Sequence, residues 1–253
     1  MPTLTFGAIL GRGLIAGAAA GVTAATAGLL VVQPPLRAAL AIEHSRTAGT
    51  AAHHEDMFTR PVQMLGGAIA ALAVGLALGA IFAVVFARWR HRLPADTDFG
   101  RVVLLATAGF GCLALLPALK YPANPPGVGD PDTVTTRTVA YLSLIAAALA
   151  VTCLAFLARQ RLARRGVPAP QRGALVAVGL IIGYAALLAV LPRHADPVPA
   201  DLPAELLWRF RLASLAELAV LWATLGLTMG LLVSPRRVDG VERDATAGAT
   251  LAR

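Results

Sequence analysis

The residues best suited to chemistry are gathered in one stretch, EHSRTAGTAAHHEDM, residues 43–57. It holds three histidines, His44, His53 and His54, and three carboxylates, Glu43, Glu55 and Asp56. Imidazole and carboxylate are the usual ligands of divalent first-row metals such as cobalt, nickel, zinc and iron. The small residues at 47–50 predict a flexible segment that folds His44 back toward His53 and His54, with the acids completing a mixed nitrogen and oxygen site. The spacing is not that of a closed structural zinc site, since cysteine ligands and a histidine pair at i,i+4 are both absent. Short histidine-rich tracts are compositional evidence only, so a solvated polar loop that binds nothing stays open beside the metal reading.

Other chemistries are poorly served. Haem held across a helical bundle needs histidines inside apolar helices, and the apolar runs contain none. HHEDMF begins like a zinc-protease motif, but Phe58 stands where the second histidine belongs. No glycine-rich loop ends in Lys-Ser or Lys-Thr, so a phosphate-binding loop is missing and no catalytic constellation is visible. Glu217, in RLASLAELAVLW, is the one acid inside an apolar run. An ionisable residue there is a functional candidate by default, although pairing with Arg209 or Arg211 would give it a purely structural role. A short distance before it, His194 and Asp196 add ligand-type side chains.

The elements that must position these groups are membrane helices. The chain of 253 residues is 57% hydrophobic and 14% charged, against about a quarter charged in soluble domains. Its mean hydropathy is +0.69. Six apolar runs approach the roughly 20 residues that cross a bilayer: residues 13–32, 62–87, 102–119, 138–158, 173–191 and 212–233. The third and fifth are short, so five spans with a re-entrant fifth segment is the alternative. The expected fold is an all-α bundle over residues 1–233, followed by a polar, disordered cytoplasmic tail at 234–253. Gly13, Gly17 and Gly21, and again Gly75 and Gly79, recur every four residues, which lines small residues on one helix face for close packing. Glycine is common throughout the chain, so frequency alone is the competing account.

The net charge of +8 does not imply nucleic acid, because the arginines cluster in short loops between apolar runs. Fourteen Lys and Arg residues fall on one side of the six-span frame and eight on the other, which places both termini in the cytoplasm. The three outward loops then carry eight of the fourteen acids and four of the five histidines. The second of them, KYPANPPGVGDPDTVTTRT, is stiffened by four prolines and reads as a cap over the helix ends, with Asp130 and Asp132 as further possible ligands.

These stretches carry a family resemblance. The early glycine-rich helix, the EH…HHED loop, LKYPANPPGVGDPDTVTTRT and LPRHADPVPADLPAELLWRFRLASLAELAVLWATLG together resemble the CbtA family, the larger subunit of predicted cobalamin-regulated cobalt transporters. The resemblance implies a multi-pass permease subunit of the cell (inner) membrane. It further implies Co²⁺ as cargo rather than a resident cofactor, with Ni²⁺ or another divalent metal as alternatives, and five membrane helices. It also implies a small single-helix membrane partner, CbtB-like, with histidines of its own. On that footing Glu43, His44, His53, His54, Glu55 and Asp56, with His194 and Asp196, form the entry site, and Glu217 lies on the path. A non-transporting scaffold or assembly factor, whose outward loops bind protein, is the reading from a different class.

Overall fold

The structure, a computed structural model, describes residues 5–47, 59–192 and 197–234. All regular elements among them are helical: α1 (Phe6–Ala27), α2 (Gln33–Thr47), α3 (Arg60–Trp89), α4 (Asp98–Phe110), α5 (Leu116–Lys120), α6 (Val134–Arg164), α7 (Ala169–Val190) and α8 (Ala204–Val233). Two π-helical turns, Gly28–Val32 and Gly111–Leu115, join α1 to α2 and α4 to α5 without a break. Among the described residues six helices are long and apolar enough to cross a membrane, the fifth included. The fifth, Ala169–Val190, has 22 residues, so the shortness read from the sequence does not by itself rule it out as a span.

Local chemistry accounts for the starts and the irregular turns. Thr5 and Thr97 cap α1 and α4, their hydroxyls accepting from the Ala8 and Gly100 N–H groups at 3.3 and 3.0 Å. Pro61 and Pro170 sit in first turns, where a missing N–H costs nothing. Each π-helical turn is followed by proline inside a continuing helix. A proline ring clashes with the carbonyl four residues back. For Pro34 and Pro35 those carbonyls belong to Leu30 and Val31, and for Pro117 to Leu113, all within the widened turns. The π geometry is where the helix absorbs its prolines.

Four helices make the main core. Along the α1–α3 seam the glycine register closes backbone on backbone: a Cβ on Gly21 would stand 2.8 Å from the Ala71 carbonyl oxygen, and one on Gly17 would collide with the Gly75 carbonyl. Such contacts need bare backbone on both helices. On its other face α1 meets α8, whose Leu221, Trp222, Leu225, Met229 and Val233 are buried against α1, α3 and α4. Gly109 lies under the Trp222 ring, and Gly226 and Gly230 admit Ala106 and Phe99. The α6–α7 hairpin joins through a smaller cluster, Cys112, Leu116, Leu144 and Ala148, with Tyr184 and Leu187 packed on it. No residue of α7 is buried, and Val190 at its end is 82% exposed. Exposed leucine, isoleucine and valine on this scale suit a lipid-facing surface.

Two boundaries differ from the sequence reading. Glu43 and His44 stand on the last turns of α2, not in a loop. The run LRAALAIEHSR is rich in good helix formers, so polarity ended the apolar run without ending the helix. The continuous helix from Phe6 to Arg46 has 41 residues, about 60 Å at 1.5 Å per residue, twice the hydrocarbon thickness. Likewise α8 begins at Ala204 rather than at 212, and Glu217 falls near the middle of its 30 residues.

Candidate functional site

At the end of the bundle where α2 finishes, three segments are tied together by Arg46. Its Nε and Nη2 donate to the two oxygens of Asp201 at 2.6 and 2.8 Å, a bidentate pair, and Nη1 donates to the Gly127 carbonyl at 3.4 Å. The hydrogen bonds from Arg46 hold the Asp201 carboxyl below the ordinary carboxylate range. Gly127 has φ +76°, a conformation that favours glycine, and the Glu43 side chain packs over it. Nearby, the Asp130 carboxylate accepts from the Asp132 N–H at 2.9 Å, and the Asp130 carbonyl accepts from Thr133 and Arg137. The Asp130 carboxylate thus shapes its own turn. Lys120 and Tyr121 donate to the carbonyls of Leu188 and Pro192 at 2.6 and 2.7 Å, fastening the loop to the end of α7. Burial pushes the Tyr121 hydroxyl above its usual range.

Of the expected ligands, Glu43 and His44 lie at this end, on α2. His53, His54, Glu55, Asp56, His194 and Asp196 lie outside the described residues. Among the described residues no three His, Cys, Asp or Glu side chains come together as a metal-holding group.

Glu217 is the other candidate. Its carboxylate rests against Gly28, the first residue of the first π-helical turn, where a Cβ would stand 2.9 Å from Oε1. The pairing with Arg209 or Arg211 is not made. Arg211 instead donates to Asn124 Oδ1 at 2.8 Å and lies over the Trp208 ring. No hydrogen bond or ion pair to Glu217 is formed among the described residues. Toward the α2 end of this seam is a groove of about 430 Å³ between the π-helical turn and α8, lined by residues that include Val31, Pro34, Arg209, Ala213 and Ala216. In the opposite direction Thr23 Oγ1 donates to Thr224 Oγ1 at 3.0 Å, joining α1 to α8. Sequence reasoning missed this pair. Thr23 and Thr26 on α1, like Thr224 and Thr228 on α8, are isolated in sequence from any acid or base, and only the register of α1 on α8 makes Thr23 and Thr224 partners.

A family model described as probable cobalt transporter subunit (CbtA) matches residues 6–234, the whole six-helix bundle. The chain belongs to the CbtA family. It is a multi-pass membrane protein and, as a CbtA member, a probable subunit of a cobalt transporter, with Co²⁺ as the suggested cargo. The word subunit implies at least one partner. No curated protein and no solved structure matches the chain.

Proposed function

We propose that this CbtA protein is the permease subunit through which Co²⁺ enters the cell, captured at the α2 end of the bundle and passed inward by way of Glu217. Both termini are cytoplasmic in this reading, as the arginine distribution requires. Glu43, His44, His53, His54, Glu55 and Asp56 supply the entry ligands, with His194 and Asp196 beside them. The observation that carries the entry site is the Arg46–Asp201 pair, which binds the helix turn bearing Glu43 and His44 to the segment that follows Asp196 by five residues. Arg46 is also neutralised by that pair, so it does not oppose a cation there. A CbtB-like single-helix subunit is the expected partner. Inward passage of a dication gains about 4.6 kcal/mol per 100 mV of membrane potential, so no nucleotide site is needed to drive it.

Uptake of radioactive cobalt by cells with and without the protein, together with its partner, tests the proposal. A saturable, protein-dependent uptake is expected. Equal uptake in both cells, with the protein present in the membrane, would leave the scaffold reading in its place.

A further inference from the structure

We infer that the route of the dication runs along the α1–α8 seam, with Glu217 over Gly28 and the Thr23–Thr224 hydroxyls as two successive oxygen-lined stations. This rests on the permease reading above and adds where the ion goes. A dication leaving water needs oxygen ligands and a countercharge at close intervals, because hydrocarbon offers neither. Among the described residues the six spans offer few places that meet the need. The α1–α3 seam is closed by glycine backbone and has no room. The groove between α4 and α8 is lined by Val103, Phe110, Trp222 and Leu227, with Thr107 its one hydroxyl. Between α6 and α7 the Thr152 and Tyr184 hydroxyls meet at 2.7 Å, but neither helix carries an acid.

The α1–α8 seam differs on each point. Its carboxylate has no partner among the described residues, so an arriving cation displaces no ion pair. Arg209, the cation on the adjoining groove, stands eight residues along α8 from Glu217, about 12 Å, too far to neutralise it. Gly28 leaves bare backbone beneath the carboxylate, and the π-helical turn interrupts the regular ladder where helices most often bend and bind. Thr23 is five residues from Gly28 and Thr224 seven from Glu217, so the hydroxyl pair lies roughly 7–10 Å further along the helix axes. The Thr23 hydrogen is shared between Thr224 Oγ1 at 3.0 Å and the Ala20 carbonyl at 3.1 Å. One hydrogen serves two acceptors, which leaves hydroxyl lone pairs for a passing ion.

The test locks the seam. Thr23→Cys and Thr224→Cys together, with Cys112 and Cys153 replaced by serine, put sulfurs where oxygens stand 3.0 Å apart; a disulfide needs about 1 Å of approach. Oxidation should lower cobalt uptake at least tenfold, and reduction should restore it, the recovery showing that the bundle stayed folded. In parallel, Thr23→Val with Thr224→Val should lower the maximal rate several-fold with KM little changed, and serine at both positions should rescue it. Wild-type uptake by the fully crosslinked protein, or by the double valine variant, would overturn the seam and leave the permease reading standing. Absence of uptake by the wild-type protein in the same assay would overturn that reading and the seam with it.

Discussion

Gly28–Val32 and Gly111–Leu115 are π-helical turns of equal length, each opened by glycine and each followed by proline that the widened turn accommodates. Their surroundings differ. No residue of the first turn is buried, Leu30 is 71% exposed, and the turn faces a carboxylate that has no partner among the described residues. In the second, Cys112 and Ala114 are buried and fall in the two separate hydrophobic clusters, so that the turn joins the α6–α7 hairpin to the main core. Both turns pack on α8. The same backbone device therefore serves cohesion on one side of α8 and, on the other, leaves a polar group room. A π-helical turn marks function only when its neighbours supply chemistry.

The largest effect expected from this contrast is at Glu217. Glu217→Gln keeps the shape beside Gly28 and removes the charge, so cobalt uptake should fall at least tenfold while expression and membrane insertion stay normal. A role in pairing with an arginine predicts the reverse, a poorly inserted protein, because a charge would be left uncompensated in a dry setting. Uptake near wild type in a well-expressed Gln variant would take Glu217 off the path and make the two turns equivalent.

A smaller effect separates the turns themselves. A Cβ on Gly111 meets nothing within 4 Å, so Gly111→Ala should leave uptake unchanged and stabilise slightly, by about 0.4–1 kcal/mol through the unfolded state. A Cβ on Gly28 would stand 2.9 Å from Glu217 Oε1, the end of a flexible side chain that can move aside. Gly28→Ala should then fold normally and lose uptake several-fold. Thermal unfolding and uptake measured on both variants check this. Equal uptake by the two would mean that the placement of the carboxylate over bare backbone is immaterial.

The six spans were legible because lipid demands runs of apolar residues, and the small-residue register of Gly13, Gly17 and Gly21 against Gly75 and Gly79 was legible because its period is that of a helix face. The helix ends were less so. Arg37, Glu43, Arg209 and Arg211 close the apolar runs, yet hydrogen bonding and propensity carry α2 and α8 through them. Both π-helical turns had a signal in the order glycine then proline, Gly28 to Pro34 and Gly111 to Pro117, that hydropathy does not register. The Arg46–Asp201 pair joins residues 155 apart and follows only from the packing of α2, the 121–133 loop and the start of α8.

The smallest effect belongs to the proposed capture ligands, several histidines and acids in sequence against the single acid of the seam. Replacing His44, His53 and His54 together with alanine should weaken uptake chiefly at low cobalt, because a capture site raises local supply and excess ion bypasses it. Acidic medium should mimic the defect, since imidazole binds metal only when neutral and an unperturbed imidazole titrates near about 6.5. The Arg46–Asp201 ion pair does not confuse that profile. Asp201 is depressed below its unfolded value by Arg46, so its contribution is full above the ordinary aspartate range near about 3.9 and fades only as pH falls through the lower folded value. Between pH 5 and 8 the Arg46–Asp201 pair is constant, and a loss of uptake on acidification across that window in wild type, absent from the triple alanine variant, belongs to histidine. Matching pH profiles and matching low-cobalt uptake for the two proteins would end the capture role of the histidines and leave Glu217 and its seam to account for transport alone.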